Sequence, residues 1–127
     1  MEYTFEQVAD LLDEIADQFP PALFTELNGG IILEQEAKED PLFPPGEMFF
    51  MGEYITYPYL GQSISLYYGS FLNSARREDW DEETWQEELY LTLSHELTHH
   101  MEFLANAHGL DDKDEEDLMR YLEEYGL

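Results

Sequence analysis

The stretch LSHELTHHMEF, residues 93–103, decides how the rest of the chain is read. It places His95 and His99 four positions apart, with Glu96 beside the first and His100 beside the second. At about 100° per residue, His95 and His99 lie within about 40° of each other on a helix surface. Leu93, Leu97, Met101 and Leu104 fall on roughly the opposite side. The two imidazoles therefore look away from the stripe that would anchor the helix, and can converge on one divalent ion. Glu96 projects beside the pair, within reach of a water on that ion. The string H-E-L-T-H has the H-E-x-x-H pattern of zinc proteases. The competing reading is an amphipathic helix whose histidines only pack or hydrogen-bond at its surface. His100, turned about 100° from His99, is expected to do that on the flank of the apolar stripe.

Working outward, Trp85, Leu89, Leu93, Leu97, Met101 and Leu104 predict one long helix from Asp81, with Asp79 or Asp81 as its cap, Asn106 as a stop and Gly109 as a second one. A last helix is expected over roughly 114–125. At the other end, Thr4 with Gln7 fits a capping box, and Phe5, Val8, Leu12, Ile15 and Phe19 recur at helical spacing up to Pro20-Pro21. A short helical turn is expected near Ala22 to Leu27. The middle reads as strands: IILEQEA (31–37), MFFMGEYI (48–55) and SISLYYGSFL (63–72), separated by turns rich in proline and glycine. The expected architecture is α+β: one domain over 1–127, with an N-terminal helix, a small, mostly antiparallel sheet, the histidine helix and a C-terminal helix.

Thirty acids oppose five bases, a formal charge of −25. Such a surface repels phosphate backbones and anionic lipid, which argues against nucleic-acid or membrane binding. Apolar residues at 43% and aromatics at 15% still supply a core, so this is no disordered acidic polymer. The chain has no cysteine. Any metal must therefore be held by nitrogen and oxygen, and no disulfide framework exists. With no signal-peptide pattern and no membrane-length apolar run, the expected location is the cytoplasm.

The segments LNGGIILEQEAK, GEYITYPYLGQSISLYYGSF and LSHELTHHMEFLANAHGLDDKD resemble a family of small bacterial zincin-like metallopeptidases, formerly a domain of unknown function. The resemblance runs from about Glu26 to Tyr125 and implies a minimal zincin fold. It also implies Zn²⁺ on His95 and His99, and Glu96 as catalytic base. A catalytic zinc takes three protein ligands and a water. Compact family members resemble H-E-x-x-H-H-x-G-x-x-D, with the aspartate as third ligand. This chain departs from that pattern, carrying Glu102 where those have glycine. From His99 to Asn106 a helix carries the chain about 10 Å past the site. Residues 107–113 suffice to return, which leaves Asp112 and Asp114 within reach by distance. Glu102, one turn beyond His99, suits a partner for an imidazole better than a ligand. Asp114 matches the family's longer branch and is the third ligand that the resemblance implies.

The expected function is zinc-dependent hydrolysis of peptide bonds in a peptide or protein substrate. Glu96 would activate the water, the strand SISLYYGSF would offer its edge to the substrate, and a Tyr67 or Tyr68 hydroxyl would serve the oxyanion. The alternatives are a zincin-like metal-binding or interaction domain without turnover, and a metal-free acidic adaptor.

Overall fold

Capping chemistry starts the fold. In this computed structural model, which describes residues 1–108 and Arg120, α1 spans Phe5–Ala16. Thr4 Oγ1 accepts from the Gln7 N–H at 3.2 Å, and Gln7 Oε1 accepts from the Thr4 N–H at 2.9 Å. This is the reciprocal box the sequence predicts, and it satisfies two otherwise orphaned amides. Val8, Leu12, Ile15 and Phe19 are buried. Prolines then shape a short 3₁₀ turn, Pro21–Phe24.

Five strands follow: β1 (Gly30–Glu34), β2 (Lys38–Glu39), β3 (Phe49–Phe50), β4 (Gly52–Tyr57) and β5 (Gly61–Tyr67). The main sheet has the order β1-β5-β4, with β1 parallel and β4 antiparallel to β5. β2 and β3 form a separate antiparallel ribbon. The sheet is therefore mixed rather than mostly antiparallel. The burial of β5 explains its place: every residue from Gln62 to Tyr67 is buried, as a central strand covered on both faces requires. The strand SISLYYGSF thus has no free edge to offer; the outer strand on the histidine side is β4.

The expected strand over 63–72 also ends early. At Tyr68 the chain turns into α2 (Tyr68–Glu78), a helix the sequence reading missed. Gly69 permits the turn. A Cβ there would sit 2.4 Å from the Ala37 backbone nitrogen, and its N–H instead reaches the Gln35 and Glu36 carbonyls, both at 3.2 Å. Phe71 and Ala75, one turn apart, are buried. Asp79, with φ 53° in the left-handed region, closes the helix.

The long helix α3 runs Glu82–His108, with Asp81 Oδ1 accepting from the Thr84 N–H at 2.8 Å as its cap. It passes through Asn106, the first of the two expected stops, and Gly109, the second, lies outside the described residues. Trp85, Leu89, Leu93, Leu97, Met101 and Leu104 are all buried, as their spacing predicts, and α3 packs across β4 and β5 with α1 against it. Each such side chain contributes about 1.5–3 kcal/mol of burial free energy, so this stripe fixes where the opposite face points. No described helix is long and apolar enough to cross a membrane. The expected C-terminal helix lies outside the described residues.

Candidate metal centre

The face of α3 opposite its buried stripe looks into an open groove. His95 and His99 stand there with ring centroids 4.9 Å apart and planes at 90°. One ligand atom from each of His95, Glu96 and His99 lies within 4.8 Å of the others. Both histidines are exposed, whereas Glu96 is only 6% exposed, tucked beneath β4. An inward neighbour that large would clash with the strand, and Gly52 provides the space. A Cβ at Gly52 would fall 2.9 Å from Thr92 Cγ2 and 3.4 Å from Glu96 Oε2.

Burial pushes the Glu96 carboxyl above the usual carboxylate range. The neighbouring His95 and His99 oppose that shift, and Glu53 adds to it. A buried carboxyl whose proton affinity is raised, beside two exposed imidazoles, differs from the solvated acids of the surface. Glu102 Oε2 lies 3.6 Å from His99 Nδ1, close to the imidazole but beyond hydrogen-bond distance. The donor set, nitrogen with oxygen and no sulfur, suits zinc. Asp112 and Asp114 lie outside the described residues.

His100 has a different task, packed and fully buried as the sequence reading expects. Its Nε2 is 2.6 Å from the Thr25 carbonyl oxygen, which can only accept, so Nε2 carries the proton. Nδ1 then accepts from the Tyr54 hydroxyl at 2.6 Å. Gln62 Nε2 donates to the same hydroxyl oxygen at 2.9 Å and to Thr56 Oγ1 at 2.8 Å. This chain ties β4, β5 and α3 together behind the groove. Burial lowers the His100 pKa, against the Thr25 hydrogen bond, and keeps the ring neutral.

The two tyrosines expected to serve an oxyanion are engaged elsewhere. The Tyr67 hydroxyl donates to Glu53 Oε1 at 2.6 Å, and the Tyr68 hydroxyl to the Tyr3 carbonyl at 2.6 Å. Glu53 also binds Lys38 Nζ. Burial alone would raise the Glu53 pKa, but the Lys38 and Tyr67 hydrogen bonds outweigh it and hold the carboxyl below its usual range. The groove wall facing α3 is built instead from Phe50, Gly52, Glu53 and Tyr54, around a space of about 540 Å³. The alternation of GEYITY could have placed Gly52 and Tyr54 on one face. Their partners on α3 depend on strand order, which local pattern does not encode.

The fold and site define an α+β protein that presents a His-x-x-x-His helix beside a sheet edge. No family model matches the sequence, and no curated protein does. Among solved structures, a conserved hypothetical protein from Thermus thermophilus is similar, with a TM-score of 0.71 and 34% identity over 82% of this chain and 99% of that one. The chain belongs to the family of that protein.

Proposed function

We propose that the protein is a zinc-dependent metallopeptidase of the zincin type, acting in the cytoplasm on peptide or protein substrates. The observation that carries this reading is the convergence of His95, Glu96 and His99 within 4.8 Å on the floor of a groove whose far wall is an edge strand. His95, His99 and Asp114 would hold the ion. When bound, zinc supplies Lewis acidity, polarising a substrate carbonyl and acidifying a water. Glu96, held out of bulk water, takes the proton from the attacking water and returns it to the leaving amine. An extended peptide adds to the outer edge of β4, its backbone paired as another strand. The Tyr54–His100 bond keeps β4 and α3 at a fixed separation, so the peptide and Glu96 stay in register.

The test is Glu96→Gln. The variant should retain zinc and lose peptide hydrolysis by at least about 100-fold, the scale of a general base. Equal turnover by variant and parent would refute the role of Glu96. Zinc binding by the parent without any turnover would leave a silent metal-binding domain.

A further inference from the structure

We propose that the cleft between α1 and β1, at the opposite edge of the sheet from the histidine groove, docks an extended, basic segment of a partner protein. The segment adds to β1 as a fourth strand of the main sheet. This site stands whether or not the histidine groove hydrolyses peptides.

The cleft follows from the spacing of α1. Phe5, Ala9, Leu12 and Ala16 form one apolar stripe, and Ile31 and Leu33 of β1 face it across a space of about 280 Å³. Ala9 and Ala16 are its small residues, and both are only half-buried. Sites for drug-sized ligands begin at about 300 Å³, so this one takes one or two side chains of a longer chain.

Beside the cleft the backbone of β1 is open. The Gln62 carbonyl of β5 accepts from the Gly29 N–H at 2.8 Å, whereas the Tyr67 N–H donates to the Met51 carbonyl at 3.0 Å. Even-numbered residues of β5 therefore turn their backbone groups to β1, and odd-numbered ones to β4. In the parallel register Ile32 stands opposite Ser65, so it bonds to the flanking Ile64 and Leu66. Ile31 and Leu33 then turn their N–H and C=O groups outward, where no described strand meets them. Natural edge strands are commonly blunted by lysine or proline. The strand GIILE has neither, and all of it stays half-buried.

Charge decides the occupant. Asp13 lines the cleft, and Glu6, Asp10 and Asp17 stand exposed on the next face of α1. Neither α1 nor β1 contains a base. A second copy would set one acidic rim against another, between two chains of charge −25. The chain's own residues 109–127 are acidic in excess, with only Lys113 and Arg120 as bases. A lysine or arginine of a partner strand fits instead. Its stem lies over Ala9 and Ala16, and its charge reaches Asp13 and the rim. Apolar residues between the bases face Ile32 on the other side of the sheet.

The experiment titrates the isotope-labelled full chain with a capped heptapeptide of alternating lysine and valine, following backbone amide shifts. Salt is held at about 0.15 M, which screens charge beyond about 8 Å. The largest shifts should fall on Ile31 and Leu33. In the antiparallel pairing the lysine amides face β1. A peptide methylated on those amides should bind at least about tenfold more weakly than its isomer methylated on the valine amides. Asp13→Lys should weaken binding about threefold or more. Glu47→Lys, an equal change of charge on the β2–β3 loop, should weaken it less. Ala9→Trp should fill the cleft and abolish binding. Absence of binding, equal affinity of the two methylated isomers, or largest shifts on β4 overturns the proposal, whether or not Ala9→Trp folds. A dimer of the parent that Ala9→Trp dissociates also overturns it, giving the cleft to a second copy.

Discussion

Glu96 is under two opposing demands. As a base it must be ionised, yet its burial favours the protonated form. A folded-state pKa above the unfolded one means the folded chain holds that proton more tightly. Stability is therefore lost as pH rises from the ordinary carboxylate range through the raised value. Glu96→Gln removes this dependence. The metal-free variant should melt at a higher temperature than the metal-free parent at pH 7, with the gap closing as pH falls below the carboxylate range. Melting curves across pH read this directly, and a parent more stable than the variant at neutral pH would count against the burial argument. Tyr54→Phe acts differently. It keeps the ring but leaves His100 Nδ1 without its donor and Gln62 Nε2 with one acceptor fewer. Leaving buried polar atoms unsatisfied should cost about 1–3 kcal/mol in chemical denaturation while zinc is retained. An unchanged denaturation midpoint would show that the bridge contributes nothing.

Between elements, two glycines mark where backbone approaches closely, and their neighbours differ. A Cβ at Gly52 meets first a side-chain methyl, Thr92 Cγ2 at 2.9 Å, which can shift a little. A Cβ at Gly69 meets first the Ala37 backbone nitrogen at 2.4 Å, which cannot move without the β1–β2 turn. Gly52→Ala should cost about 1–3 kcal/mol by overpacking, and Gly69→Ala should cost more. The reverse order in denaturant midpoints would contradict the packing described. Gly69 also shows where sequence reading stopped. Helices α1 and α3 were legible because their apolar residues recur every three or four positions and their caps are local. Helix α2 was not: Tyr67-Tyr68-Gly69-Ser70-Phe71 has the residue types of a strand, and only the contact with the β1–β2 turn bends it. The parallel pairing of β1 with β5 was equally hidden, because it joins residues some thirty positions apart. At the site, the spacing of His95, Glu96 and His99 was readable, whereas the wall made by Gly52 and Tyr54 was not.

Across the whole molecule the charge of −25 sets the background. Lys38 pairs with Glu53 and Arg76 with Glu2, while Arg77 Nη2 donates to Gly46 O and Asn73 Oδ1. With five bases for thirty acids, most acids have no cation to pair with and repel one another. Moderate salt should therefore raise the melting temperature by screening, with most of the gain reached by about 0.15 M, where the Debye length is about 8 Å. A melting temperature that falls with salt would indicate that the acidic surface is paired more fully than described. The same surface gathers divalent cations loosely, so a metal site must be distinguished from this cloud. The most direct measurement is the zinc content of purified protein after exhaustive dialysis against excess magnesium at neutral pH. The account predicts one zinc per chain, kept by Glu96→Gln and lost by His95→Ala and by His99→Ala. A parent that emerges without zinc, or whose zinc survives both histidine substitutions, would contradict it.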